Sequence, residues 1–178
     1  MLWIKKNRPD VFDKCKNILN VDSFMVHWMT GDSVVDYAQA SASMIYNVAK
    51  KCWDDEMANA FDIDPTLLGT ICKPEDVCGR LTEYAAAELG LTTATKVIVG
   101  TGDEHSACVG SGLVKPGMVG DITGTAEPVA AVADRPLLDT ISGLVETHHH
   151  ADARWWLIEN PGFVSGGSTR WFRDSLVR

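Results

Sequence analysis

The stretch "VIVGTGDEHSACVG", residues 97–110, constrains the fold more than any other part of this chain. A β-rich apolar run ends in Gly100 and Gly102, and Asp103, Glu104, His105 and Ser106 follow at once, opening a helix of small residues. A strand that runs through glycines into a small-residue helix predicts an α/β domain with close helix–sheet packing. The polar cluster at that turn has two readings. Asp103 or Ser106 can cap the helix, or a carboxylate can stand at the carboxyl end of a strand as an active-site base.

Residues 1 to about 95 read as mostly helical. In "MLWIKKNRPDVFDKCKNIL", Leu2, Val11, Phe12, Cys15 and Ile18 recur at helical spacings, and Pro9 opens a second turn-and-helix unit. "DSFMVHWMTG" predicts a short helix capped by Asp22 or Ser23 and stopped at Gly31. "DPTLLG" is a brief turn, and "CKPEDVCGR" reads as a loop or short extended segment. "LTEYAAAELG" predicts an amphipathic helix with Thr82 as N-cap and Gly90 as stop.

From residue 96 the texture turns to β. "KVIVGTG" is a strand, and "MVGDITGTAEPVAAVAD" reads as two strands about a tight Gly-Thr turn. "GLVETHHHADARWWLIENPG" predicts a hairpin turning at Ala151 to Ala153, and "SGGSTRWFRDSLVR" a helix that opens after two glycines. With no low-complexity linker and no internal repeat, the pattern predicts one close-packed body of two lobes.

Composition narrows the function classes. A hydrophobic fraction of 46% over 178 residues suits a globular protein with a sizeable core. No apolar run reaches the roughly 18 residues of a membrane helix. The start, "MLWIKKNRPDVFDK", lacks the apolar block and cleavage site of a signal peptide, so a cytoplasmic protein without a membrane partner is expected. The net charge of -8 argues against nucleic acid as partner, because phosphate contacts demand clustered Lys and Arg and "IKKNR" is the densest basic patch. The five cysteines are odd in number and form no CxxC pair, which favours buried reduced thiols over a disulfide framework or zinc site.

Six stretches, "LWIKKN", "DYAQAS", "CGRLTEYAAAELGL", "GTGDEHSACVGSGLVKPG", "DITGTAEP" and "GGSTRWFRD", stand in the order found in the FGGY carbohydrate kinases. The chain resembles the xylulokinase-like branch of that family over essentially all of its length, as an internal segment of a longer enzyme. The resemblance implies an α/β, ribonuclease H-like fold of the actin and hexokinase type, with ATP and sugar held between two domains. Residues 1–115 would be the C-terminal part of the sugar-side domain, and residues 116–178 the beginning of the nucleotide-side domain. The implied activity is ATP-dependent phosphorylation of a sugar hydroxyl, on a ketopentose such as xylulose or a related ketose or polyol. Mg2+ would accompany the ATP, and a homodimer is compatible with the family.

Carried over by position, the family's catalytic aspartate falls on Asp103, and Glu104 beside it would also face the substrate. The phosphate-contacting turn falls on Gly124 and Thr125, and the later glycine pair before a Trp-containing helix on Gly166 and Gly167. The chemistry is consistent with these placements. Phosphoryl transfer needs positioning and charge stabilisation, together with a carboxylate to accept the hydroxyl proton. A glycine turn lets backbone N–H groups converge on phosphate oxygens, and a helix N-terminus favours anions. Each motif also has a plainer reading, as a hairpin turn at Gly124 and ordinary capping by Ser168.

The chain departs from the family in two places. Glu104 stands where a sugar-holding glutamine is usual, and an ionised carboxylate only accepts hydrogen bonds. Glu127 and Pro128 follow the phosphate turn where small or aromatic residues are usual. The family's N-terminal "DxGT" motif and its adenosine-binding glycines are missing, the first helix has no cap and the last no stop. This segment by itself is therefore expected to be inactive.

The remaining signals read more simply. His148, His149 and His150 with Glu146 and Asp152 suggest a metal, yet strand alternation allows only His148 and His150 on one face, so a solvated hairpin is expected and no metal site. In "DYAQAS" the family resemblance implies that Asp36, Gln39 and Ser41 could fix a loop near the substrate side, but Asp36 is expected to cap the helix or turn that follows. Two other classes stay open, a non-catalytic interaction module and a hydrolase using Ser106 with His105 or a metal at the His cluster, although no "GxSxG" elbow is present.

Overall fold

The structure, a computed structural model, describes residues 1–177. The chain divides into two compact units, residues 1–101 and residues 102 onward.

The first unit opens with α1 (Leu2–Asn7) and α2 (Pro9–Phe12), divided where Pro9 takes the first helical position of the second. The helical spacing does not continue, because Cys15 to Ile18 lie in turns and a single β-bridge to Leu68. Next come α3 (Val21–Thr30), β1 (Val34–Asp36), α4 (Tyr37–Ser41), β2 (Tyr46–Asn47), β3 (Cys52–Trp53) and α5 (Asp55–Ala60). A single 3-10 turn, Pro65–Leu67, precedes β4 (Thr70–Cys72), β5 (Val77–Arg80), α6 (Glu83–Leu89) and β6 (Lys96–Ile98). β1 pairs in parallel with β4, and β5 pairs antiparallel with β6 across a register shift between Val77 and Gly79. The stretch "CKPEDVCGR", expected as a loop or short extended segment, ends in the short strand β5, bulged where Gly79 packs against the side chains of Thr30 and Asp32.

Local signals explain the helices of this unit. Thr82 caps α6 by accepting from the Ala85 N–H at 3.2 Å, and Gly90 ends it in the left-handed region. Gly31 ends α3 in the same way, but its N-cap is Asn20, one of the residues ahead of the expected Asp22 or Ser23. The small faces of Ala85 and Ala86 let α6 approach Val26, Val34, Leu81, Val97 and Val99, which form the core between α3, α6 and the strands.

The second unit contains α7 (Asp103–Gly110), β7 (Val119–Asp121), β8 (Val129–Ala133), β9 (Glu146–His149), β10 (Trp156–Asn160) and α8 (Gly166–Leu176). Its sheet is antiparallel in the order β7-β8-β10-β9. One sheet face buries Ala130, Val132 and Leu157 against Cys108 of α7 and Leu113. That packing carries α7 with the second unit. The two strands expected around the Gly-Thr turn are β7 and β8, but residues 122–128 form a loop rather than a tight turn. Gly120 has no room for a side chain, since a Cβ there would lie 2.6 Å from a Leu113 methyl.

No helix among the described residues is long and apolar enough to cross a membrane. All five cysteines are free thiols, and only Cys108 is buried.

Candidate active site

The approach to Asp103 is built by backbone bonds. Within the first unit, the Val99 N–H donates to Asp76 O at 3.0 Å and the Gly100 N–H to Pro74 O at 2.9 Å. Gly100 then turns the chain at φ +77°, a conformation that favours glycine. Thr101 follows, and its hydroxyl donates to the buried carboxylate of Asp36 at 2.8 Å. Asp36 also accepts from the Ala38 and Gln39 N–H groups, at 3.0 and 3.4 Å, so it caps α4 as its sequence position suggests.

In the second unit Gly102, not Asp103 or Ser106, is the N-cap of α7, and no side chain caps the helix. Asp103 is the first helical residue and is exposed. Its Oδ1 accepts from the Glu104 N–H at 3.0 Å, which leaves further acceptor positions open to solvent.

Glu104 is half-buried. Its Oε1 is fully buried without a donor among the described residues. Burial, and after it the nearness of Glu104, raises the pKa of Glu159 on β10 to about 8. Part of the acceptor capacity expected to face a sugar therefore points into the protein.

His105 is buried and Ser106 exposed, so this neighbouring pair does not form a nucleophile and base. The His105 ring meets His148 edge-on with centroids 6.3 Å apart. Burial, with His148 and His150 nearby, pushes the His105 pKa down to about 4, so the ring is neutral at physiological pH.

The histidine run departs from the expected solvated hairpin. His148, His149 and His150 are all buried. Strand alternation sends His148 toward α7, where its Nε2 lies 3.1 Å from Glu146 Oε2, while His149 packs on Trp156 with centroids 5.5 Å apart. His150 Nδ1 accepts from the Asp152 N–H at 2.9 Å, so its Nε2–H is the group that donates to Leu113 O at 2.8 Å. Among the described residues no group of His, Cys, Asp or Glu side chains is arranged to hold a metal ion.

The glycine motifs expected to contact phosphate come together within the second unit. The Gly166 N–H donates to Gly124 O at 3.2 Å, and the Ser165 and Gly167 N–H groups donate to Thr125 O at 3.0 and 3.2 Å. Beside them the Glu127 N–H donates to Gly162 O at 2.7 Å. The glycines matter unequally. A Cβ on Gly166 would lie 2.4 Å from Gly124 O, whereas one on Gly124 would lie 3.8 Å from its nearest neighbour. The first amides of α8 are therefore used in holding the loop, which modifies the expectation that they serve an anion. The Thr123, Thr125 and Ala126 N–H groups, by contrast, donate to nothing among the described residues, and Thr123 and Thr125 are exposed. No hydrogen bond among the described residues joins Asp103 to either motif.

Sequence reasoning missed Glu159. Its signal was present in "WWLIEN", where alternation puts Glu159 on the same face as the core residue Leu157.

Known proteins similar to this chain are sugar kinases. Residues 1–110 match the model of the FGGY family of carbohydrate kinases, N-terminal domain. An autoinducer-2 kinase from Photorhabdus laumondii is 25% identical over 99% of this chain and 33% of its own length. A glycerol kinase from Thermococcus kodakarensis is 29% identical over 98% of this chain and 35% of its own. The ligand-bound xylulose kinase from Lactobacillus acidophilus superposes with a TM-score of 0.88 at 24% identity, covering 98% of this chain and 35% of that one. The chain thus spans about a third of the length of these relatives and has the actin- and hexokinase-like α/β fold of the sugar kinases. On the family match over its first 110 residues, the chain belongs to the FGGY family of carbohydrate kinases.

Proposed function

We propose that this chain is the central part of an ATP-dependent sugar kinase in which Asp103 is the general base. The observation that carries the reading is the exposed Asp103 carboxylate at the first position of α7, not used as a cap, in a chain of this family. Asp103 would accept the proton of the substrate hydroxyl as that oxygen becomes nucleophilic.

The loop of Thr123 to Ala126 fits a phosphate group, because the N–H groups of Thr123, Thr125 and Ala126 and the Thr125 hydroxyl are neutral donors of the kind that cradle an anion, while the Thr123 hydroxyl is held by Asp121 at 3.1 Å. When bound, ATP supplies the phosphoryl group, with Mg2+ carried on its phosphates. Gly166 and Gly167 support the loop from behind, through their bonds to Gly124 and Thr125. In the family's terms, residues 1–115 would serve the sugar and residues 116–178 the nucleotide.

The substrate class is a ketose or polyol. An autoinducer-2 kinase, a glycerol kinase and a xylulose kinase are 25%, 29% and 26% identical to this chain, so identity does not choose among their substrates.

The test is Asp103→Asn in the full-length enzyme. It should lower kcat by at least about 100-fold with ATP affinity little changed. Near-normal turnover would remove Asp103 from the mechanism.

A further inference from the structure

We propose that Thr101 is a positioning residue for Asp103, its hydroxyl anchoring the chain to the buried Asp36 carboxylate just before α7 begins. The role rests on the kinase reading above.

The anchor is held from two sides. Asp36 has no exposed surface, and its backbone ends β1, opposite Cys72 of β4 in the parallel pair. Its carboxylate is held by the first amides of α4: Oδ2 accepts from the Ala38 N–H at 3.0 Å and Oδ1 from the Gln39 N–H at 3.4 Å. A carboxylate oxygen has room for a second donor. The Thr101 hydroxyl supplies it at 2.8 Å to Oδ2, the usual length of a well-formed bond between oxygens.

This bond fills a gap in the backbone bonding. The chain is secured as far as Gly100, whose N–H donates to Pro74 O, and is secured again at Gly102, whose carbonyl accepts from the Ser106 N–H at 2.9 Å. Among the described residues no backbone hydrogen bond involves Thr101 itself, so its side chain alone ties it down. Thr101 also stands between Gly100 and Gly102, and glycine has more backbone freedom to lose than any other residue. Two heavy atoms on its Cβ leave threonine few χ1 choices, so fixing the hydroxyl fixes the Cα as well.

Asp103 follows two residues later, at the first position of a helix that no side chain caps. The path of the chain through Thr101 and Gly102 therefore sets where the carboxylate starts from. A base displaced by about 1 Å can lose about 100-fold in rate. Thr101 touches no reacting atom in this account and acts through the backbone that carries Asp103.

Thr101→Val keeps the shape of the side chain and removes the donor. In the full-length kinase it should lower kcat by at least about tenfold, with KM for the sugar and for ATP little changed. Thr101→Ser, which keeps the donor, should stay within about threefold of wild type. Because the effect runs through the base, adding Thr101→Val to Asp103→Asn should lower kcat by less than about twofold further. Wild-type kcat in the Val variant, a Ser variant as impaired as the Val one, or the same loss in both backgrounds would overturn the proposal and leave Asp103 as the base. A fall in kcat with both KM values raised would also overturn it, since that marks a general loosening of the fold. Near-normal turnover in Asp103→Asn alone would instead remove the kinase reading, and the positioning role with it.

Discussion

The Thr101 hydroxyl donates to Asp36 Oδ2 at 2.8 Å, joining residues 65 positions apart in the sequence. It fixes the chain just before it enters Asp103, and it does so on a carboxylate with no exposed surface. Burial outweighs the three donors, and the Asp36 pKa is raised to about 6 from an ordinary 3.8. Between those values the folded chain binds more protons than the unfolded chain, so this group's contribution to stability falls as pH rises through that window.

Asp36→Asn should flatten that slope, worth about 3 kcal/mol between its two ends. The amide oxygen can still accept from a backbone N–H, and the Thr101 hydroxyl can rotate to accept from the amide. Thr101→Val should destabilise by about 1.5–3 kcal/mol at mildly alkaline pH, where the bond is to a charged group, and by less at acid pH. Denaturant unfolding of the chain at both pH values measures this. An equal loss at both would mean that the bond is not made to an ionised Asp36.

His105 gives the opposite slope. Its folded pKa of about 4 lies below the unfolded value of 6.5, so its contribution is complete above 6.5 and is lost as pH falls from there through 4. His105→Phe fills the same space with a ring that takes no proton, and should remove an acid limb of about 3 kcal/mol. Acid unfolding of wild type and variant compares the two directly. Parallel acid limbs would show that His105 does not carry the acid sensitivity.

The sequence made legible those features that depend on a few neighbouring residues. Thr82 and Gly90 bracket α6 because capping is chemistry within one turn. Asp36 was readable as a cap for the same reason. The family motifs located Asp103 and the two glycine turns, but not the fact that the turns are bonded to each other, because that depends on how β10 leads into α8. The histidines show the limit most clearly. A run of three polar rings suggests solvent, yet His150 is buried because the Leu113 carbonyl and the Asp152 N–H satisfy both its nitrogens. Those partners come from another segment and from the hairpin turn, and only the assembled sheet supplies both. Glu159 was hidden for a related reason, since its pKa is raised first by burial in the assembled sheet and then by Glu104, which lies far away in sequence.

The glycines of the candidate phosphate loop give the last prediction, because the structure ranks them differently from the motif. The motif makes Gly124 the residue where a side chain would obstruct, but a Cβ there meets only Ala126 O at an ordinary 3.8 Å. At Gly166 a Cβ would lie 2.4 Å from Gly124 O, a backbone atom that cannot swing aside as a side chain would. Gly166→Ala should therefore push the Thr123–Ala126 loop off α8, at about 1–3 kcal/mol of overpacking. Gly124→Ala should fold normally. In the full-length protein, Gly166→Ala should weaken ATP binding by about tenfold or more, while sugar binding is unchanged. Calorimetric titration with each ligand, beside thermal melts of both variants, makes the comparison. Equal ATP affinity in wild type and Gly166→Ala would show that the loop does not hold the nucleotide, and loss of both ligands together would indicate a folding defect instead.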